Sequence, residues 1–503
     1  MPDASLHDPV SRDEARSPLV LAIDIGTSST RTAIFDGRAR PARGTVVRVP
    51  HALAVDAAGA ATLDPDAVLG AVVACVDTTL RRLGRHADAI AAIGTSALWH
   101  SLVGVDRRGS PTTDLFTWAD NRARDSARAL AAKVDPNDFH RRTGCYLHSS
   151  YSAVKLHWLR ETHPQAFRRA ARWVSFPEYL SLRLAGTASA SHAIASATGL
   201  YDHGTATWDP EILAAIGIDP EMLSPISDEP ITELRAAFGR RWPALARAAW
   251  LPGIGDGALA NVGSGCAVDG SAAVSLGTSG AVRACYRATR GTAPQGLWEY
   301  RLDRRYVVVG GAVSNGGNAI EWASRLFRGG ATRTSEHGLT VLPLLSGERT
   351  PWWDDRATGV DAGLRAGTTP GDIREALVES VVLRLAAVTR TLLEARTGIE
   401  RIVASGGVFA RQPELAQVIA DAVGRPVVLA ADVESSTRGA AIVALERIGA
   451  LPSIEIPART TRTYRPKAAR RARYERALAR QDRLMTGVDQ RNRHRPEKGT
   501  GHE

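Results

Sequence analysis

The chain has 503 residues, 44% hydrophobic and 23% charged, an ordinary globular composition that predicts two to four domains at roughly 100–200 residues each. Its net charge of +10 is concentrated in residues 464–503, which hold 12 Lys/Arg against 5 Asp/Glu, so the body carries no nucleic-acid signature. No apolar run reaches the roughly 18–20 residues of a membrane span. The four cysteines, Cys75, Cys145, Cys266 and Cys285, are scattered with no C-x-x-C pair, which argues against a Zn site or a disulfide framework and for a reducing, cytoplasmic setting.

The first 17 residues have four acids and no apolar stretch, and read as a disordered lead rather than a signal peptide. Leu21-Ala22-Ile23-Asp24-Ile25 then predicts a buried strand that delivers a carboxylate to a tight loop, Gly26-Thr27-Ser28-Ser29, followed by Thr30 and Arg31. Small residues let backbone approach a phosphate, successive N–H groups bind anions, and a carboxylate holds Mg²⁺. Alone, this stretch is equally a β-hairpin with a polar turn. About 250 residues later, Ala273 to Ala284 repeats it as strand, Gly277-Thr278-Ser279, strand. Two such hairpins imply two domains that serve one nucleotide.

Between them, Asp64-Pro65-Asp66 opens a helix, with Asp64 as N-cap, Pro65 at its first position, and Val68, Leu69, Val72, Val73, Val76 and Leu80 on its apolar face. Ala89 to Gly94 is a buried strand that runs out at Trp99-His100-Ser101, where ligands sit in α/β folds. Trp118-Ala119-Asp120-Asn121-Arg122 offers a ring, an acid, an amide and a guanidinium, which is the set a sugar needs. The same residues also read as a capped helix start with Trp118 in the core. Ala195 to Gly199 is small and polar enough to pack against a ligand.

Asp256 stands between Gly255 and Gly257 at the start of an Ala/Gly-rich helix. The helix dipole holds such a carboxylate ionised, and the glycines are expected to leave room for substrate, as a general base requires. A plain N-cap aspartate is the alternative. Further on, Gly316-Gly317-Asn318 starts a tightly packed helix, Ser346 to Trp353 is a polar-aromatic loop, and a long helix runs from Asp372 to Arg396. Arg401 to Ser405 is a strand ending in Gly406-Gly407, where backbone can pass under a flat ring, here assigned to adenine, with a plain strand–helix turn as the alternative. Pro466 to Arg483 reads as a solvated terminal helix followed by a frayed tail, with a polyanion-binding arm as the alternative.

These motifs, in this order over residues 18–485, resemble the FGGY family of carbohydrate kinases. The resemblance implies an α/β fold of two actin/hexokinase-like (ribonuclease H-like) domains with an ATP cleft between them. It divides the chain into a lead (1–17), an N-terminal sugar-binding domain (18–264), a C-terminal nucleotide-binding domain (265–463) and a basic helix and tail (464–503). It implies ATP binding by Gly26, Thr27, Ser28, Ser29, Arg31, Gly277, Thr278, Ser279, Gly317, Gly406, Gly407 and Arg411, the last standing where some members carry Asn. Mg²⁺ falls to Asp24 and Asp256, and Asp256 is the catalytic base. Trp99, His100, Trp118, Asp120, Arg122 and Asp256 would bind the substrate.

Within the family the segments at 118–122, 195–199, 255–261 and 311–317 look most like gluconokinases, with Trp99 standing where those often place Met. The implied reaction is phosphorylation of gluconate to 6-phosphogluconate, with xylulose or another pentulose or polyol as the alternative acceptor. A sugar-sensing regulator on the same fold is the alternative of another class. It would need a helix-turn-helix before the first hairpin, and only about 20 residues precede Asp24. The expected partner is a small sugar or sugar acid, with no membrane or nucleic acid, and a homodimer stays open.

Overall fold

In the computed structural model the described residues are 9–231, 233–328, 337–431, 435–457 and 459–493. Residues 1–8 of the expected lead and 494–503 of the expected tail lie outside them. The chain divides into two units: one of residues 1–272, 283–309 and 430–459, the other of residues 273–282, 310–429 and 460–503.

The first unit is built on the apolar run Leu19–Ile25, every residue of which is buried. It pairs antiparallel with Ser29–Phe35, which pairs antiparallel with Val47–Pro50. On its other side it runs parallel to Ile90–Ala97, which is parallel in turn to Ala249–Trp250 and Ile254–Gly255. A meander followed by parallel strands requires crossover connections, and the helix Pro65–Leu83 lies in the first of them. Asp64 caps that helix as its sequence predicts, accepting from the N–H groups of Asp66 (2.9 Å) and Ala67 (3.2 Å). Val68, Leu69, Val72 and Val76 join Leu21, Ile23, Ile34 and Ile93 in one core.

Two other helices of this unit pass each other unusually closely. A Cβ on Gly439, in the helix Ser435–Arg447, would lie 1.9 Å from Leu259 O, and one on Gly263 would lie 1.8 Å from Ser435 O. Glycine at both positions lets the helix Asp256–Gly263 seat its backbone directly on its neighbour. Arg438 closes the contact, donating from Nη1 to Gly263 O at 2.6 Å. The described part of the expected disordered lead is tied down as well: Val10 is buried and bonds backbone to backbone with Pro41 and Arg43.

In the second unit the strand order runs Tyr306–Val313, Gly280–Arg287, Ser271–Leu276, Arg401–Ser405, Val427–Ala430, Thr460–Tyr464. Helices Pro370–Ala395, Leu415–Val423 and Ala468–Arg493 belong to this unit. The last is not the solvated helix expected from its charge. Tyr474, Ala477 and Leu478 pack on Leu383, Ala386 and Ala422, and Met485 packs on Leu342, Leu344 and Ala357. Its arginines stand on a helix whose other face is apolar, so counting charge alone hid a packing face. Among the described residues no helix is long and apolar enough to cross a membrane.

Candidate active site

Strand register brings the first unit's carboxylates to one end of its sheet. Asp24, Ser96 and Ile254 stand side by side on three parallel strands, and Asp256 is two residues beyond Ile254. Side chains at the carboxyl ends of parallel strands converge where helices begin. Asp24 is buried. Its Oδ1 accepts from Ser96 Oγ at 2.6 Å, and its Oδ2 meets Arg31 Nε at 3.2 Å. Arg31 reaches back across the hairpin because Asp24 and Arg31 are cross-strand partners.

Asp256 accepts from the Gly257 N–H at 2.7 Å. Burial pushes its carboxyl up to about 6; the Arg283 guanidinium opposes the shift, and the Asp24 carboxylate adds to it. A carboxylate at that value is a stronger base than an exposed one and is still ionised at neutral pH.

The glycines beside Asp256 do not open space for substrate, contrary to expectation: the Trp99 ring fills it. A Cβ on Gly255 would lie 1.9 Å from Trp99 Nε1, and one on Gly257 would lie 2.5 Å from Trp99 Cζ3 and 2.8 Å from Arg283 Nε. Trp99 donates from Nε1 to Ala193 O at 3.2 Å and meets Trp298 and Tyr300 edge-on at 5.8 and 5.0 Å. Trp298 and Tyr300 are stacked at 4.2 Å, and the Tyr300 hydroxyl bonds that of Tyr151 at 2.6 Å. His100 completes the wall, 4.9 Å from Tyr151, with Nδ1 on Ala197 O at 2.7 Å. Its φ of +61° is left-handed, rare for a residue with a Cβ, and holds the bend that separates its ring from Trp99.

Trp99 and His100 are thus joined by three aromatic residues not expected as site residues. Trp298-Glu299-Tyr300 carried a signal: rings two apart on a strand share a face. The fully buried Lys155 donates to the carbonyls of Ser149 and Ser150, both at 2.7 Å, and fixes the loop that presents Tyr151. Ser150 Oγ donates to Trp118 O at 3.0 Å, which ties the 118–122 segment to the same loop.

Asp120 and Arg122 are committed to each other. Asp120, 1% exposed, receives Arg122 Nε at 3.1 Å and Nη2 at 2.6 Å, as well as the Ala61 N–H at 3.3 Å. The guanidinium lies over Phe116 and Trp158 at 5.5 and 5.1 Å. Of the first phosphate loop, Thr27 and Ser28 are accessible, and Gly26 closes the turn with its N–H on Ser29 O at 3.1 Å. Ser29 is turned inward, where its hydroxyl accepts from Arg48 Nε at 2.9 Å.

In the second unit the remaining expected residues gather. Gly277, Thr278, Gly317 and Arg411 line a cavity of about 520 Å³ together with Asn318, Ile320, Glu321, Ser324, Val408 and Gln412. Gly317 N–H donates to Gly277 O at 2.7 Å and Asn318 N–H to Thr278 O at 3.1 Å, so the hairpin and the helix Gly317–Leu326 form one wall. A Cβ on Gly317 would lie 2.6 Å from Gly277 O. Gly406 has φ +104°, and a Cβ there would lie 2.6 Å from Leu276 O. Gly407 is less constrained, with Arg411 Nη1 at 3.3 Å from its would-be Cβ. Ser279 is half-buried beside this wall, where a Cβ on Gly316 would strike its backbone. An exposed Gly277-Thr278 turn, a helix start and a roomy cavity are features that suit a nucleotide.

Residues 19–263 match the N-terminal domain, and residues 272–446 the C-terminal domain, of the FGGY family of carbohydrate kinases. The chain is 29% identical over 470 residues to a gluconokinase of Bacillus licheniformis, covering 87% of this chain and 89% of that protein. It is 31% identical over 389 residues to a xylulose kinase of Streptomyces rubiginosus, covering 76% and 78%. A solved gluconate kinase from Lactobacillus acidophilus superposes with a TM-score of 0.85 at 24% identity over 93% of this chain and 98% of that one.

Proposed function

The chain belongs to the FGGY family of carbohydrate kinases, and from that premise we propose that it transfers the terminal phosphoryl group of ATP to a terminal hydroxyl of gluconate, giving 6-phosphogluconate. The observation that carries this reading is Asp256, a carboxylate raised to about 6 at the end of the strand that neighbours Ser96. It accepts the proton of the attacking hydroxyl as the oxygen–phosphorus bond forms and the bond to the ADP oxygen breaks. Phosphoryl transfer otherwise asks for positioning and charge neutralisation.

Thr27, Ser28 and Arg31 on the first hairpin, and Gly277, Thr278 and Ser279 on the second, are the groups suited to the phosphates. Gly317, Gly406, Gly407 and Arg411 suit the adenosine. Trp99, Trp298, Tyr300 and Tyr151 are all buried and back the proposed sugar site, and the half-buried His100 and Trp118 at the margin of this aromatic wall are the rings placed to reach a sugar chain.

The donor set also fits Mg²⁺. Asp24 and Asp256 sit close enough for one charge to raise the other's pKa, a hard-oxygen pair that a divalent cation relieves. Asp24 is the residue to hold it, beside Asp256, and when bound the ion neutralises phosphate charge. Gluconate is favoured over xylulose by the longer match to a gluconokinase. The test is ADP release with gluconate, xylulose, ribulose, glycerol and erythritol in turn. Turnover of a ketopentose without turnover of gluconate would replace the substrate, and turnover of none would remove the kinase reading.

A further inference from the structure

Residues 195–199, expected from their small size to pack against a ligand, are buried apart from the half-buried Thr198. They continue a short helix, His192–Ala195, capped by Ser191. Hydrogen bonds run from this segment to several of the pieces that frame the proposed sugar site. Ala193 O accepts from Trp99 Nε1 at 3.2 Å, and Ala197 O from His100 Nδ1 at 2.7 Å. Thr198 O accepts the Ala153 N–H at 3.0 Å, in the first turn of the helix that Tyr151 opens. Ser191 Oγ donates to Gly253 O at 2.6 Å, three residues before Asp256.

Ser196 adds a side chain to these carbonyls, and it is fully buried. The strand Trp298–Arg301 is the end strand of its sheet, so the N–H groups along its outer edge need other acceptors. Glu299 N–H takes Gly144 O at 2.9 Å, and Arg301 N–H takes Ser196 Oγ at 2.8 Å. The Ser196 hydroxyl in turn donates, more loosely, at 3.4 Å to Ala193 O, the carbonyl that holds Trp99. Tyr300 lies between the two anchored N–H groups, and its ring meets Trp99 edge-on at 5.0 Å. His100, half-buried, packs on Tyr300 at 5.6 Å and on Tyr151 at 4.9 Å. The rings that seat His100 are therefore those that the 191–199 segment holds.

We infer that Ser196 is a positioning residue for the sugar acceptor: its hydroxyl fixes the end strand that carries Tyr300 to the turn that holds Trp99 and His100, and so sets acceptor affinity without touching the acceptor. This rests on the reading of the space beside His100 and Trp118 as the sugar site.

The test is gluconate affinity by calorimetry, with KM for gluconate and for ATP, on wild type, Ser196→Ala and Tyr201→Phe; xylulose replaces gluconate if that is the acceptor turned over. Ser196→Ala leaves the Arg301 N–H buried without its acceptor, and the strand shifts to recover one, taking Tyr300 with it. The Kd and KM for gluconate are expected to rise about five- to tenfold while the KM for ATP holds within about twofold. Tyr201→Phe removes another hydrogen bond of the same turn, from its hydroxyl to His192 Nδ1 at 2.9 Å, and leaves the carbonyls that hold Trp99 and His100 in place. It is expected to lower the melting temperature and to leave the gluconate KM within about twofold. A merely structural role for Ser196 would give the two variants the same kinetic signature.

Unchanged gluconate affinity in Ser196→Ala, equal rises in both variants, or a matching rise in the KM for ATP overturns the inference. Should Ser196→Ala fail to fold, Tyr300→Phe carries the test, since it keeps the strand and the ring and removes the 2.6 Å bond to the Tyr151 hydroxyl. A rise in gluconate Kd of about two- to threefold supports the inference and an unchanged value overturns it. Wild type that binds neither gluconate nor xylulose overturns the sugar-site reading and the inference with it, whereas binding by wild type with equal binding by Ser196→Ala overturns only the role of Ser196.

Discussion

Asp24, level with Ser96 on one parallel neighbour of the central strand Ile90–Ala97, and Asp256, the residue that follows the other neighbour Ile254–Gly255, stand at the same end of the sheet, and the charge of the first adds to the burial that holds the second at about 6. The strand positions the two carboxylates, and burial, opposed by Arg283 and helped by Asp24, gives Asp256 a proton affinity suited to taking a proton from a sugar hydroxyl.

The pH profile follows from that pair. Only ionised Asp256 accepts a proton, so kcat/KM for the sugar rises with pH through about 6 and then levels. Asp24→Asn removes a like charge and moves the inflection to lower pH; Arg283→Met removes an opposing one and moves it higher. Turnover measured from pH 5 to 9 gives the inflection. Asp24→Asn with an unshifted inflection would disprove the coupling, even if overall turnover fell.

Asp256→Asn is expected to lower turnover by roughly 10²–10⁴ and to stabilise the protein at pH 8. The folded pKa of Asp256 lies above its ordinary 3.8, so its contribution to stability is full below that value and is lost as pH rises through about 6. The amide carries no such loss. Thermal melts should show the variant above wild type at pH 8 and level with it below pH 4.

Trp99 and the glycines beneath it act as a lock. Gly257→Ala places a methyl 2.5 Å from the ring and should cut activity sharply, because the indole and Arg283 must both move. Trp99→Met, which empties that space without adding a polar group, should recover activity in the Gly257→Ala background and widen the range of acceptors taken. Acceptor panels on the single and double variants measure this. Equal losses that simply add would show that the ring does not set the pocket.

Gly406 and Gly407 are expected to differ although adjacent. Gly406→Ala meets Leu276 O at 2.6 Å in a left-handed backbone and should weaken ADP binding severely. Gly407→Ala meets only the end of Arg411 at 3.3 Å and should be tolerated within about threefold. Calorimetry with ADP separates the two.

For Asp120 and Arg122 the expected effect is on stability. Arg122→Met strands a carboxylate that is 1% exposed and should cost roughly 3–5 kcal/mol. Adding Asp120→Asn should return much of that cost. Chemical denaturation of the three variants gives the values, and a double variant no better than the single would place the cost in the lost stacking on Trp158 instead.

The sequence by itself determined the family and the helix cap at Asp64, and it singled out the two Gly-Thr-Ser turns and the carboxylates Asp24 and Asp256 that the proposed function uses. These are local statements: a strand period, a capping residue, a Gly-Thr-Ser turn, each readable because neighbours in the chain are neighbours in space. What stands at a distance in the chain was settled only by tertiary structure. Trp99 fills the space beside Asp256 that the glycines were expected to open, because the ring and the glycines lie more than 150 residues apart and meet only when strands 90–97 and 254–255 pair. Tyr151, Trp298 and Tyr300 come to Trp99 from two further segments. Ser29 turns from phosphate toward Arg48, and the basic terminal helix buries a face against Leu383 and Ala422. Local chemistry names the groups able to bind and react; packing between distant segments decides which of them face the same space.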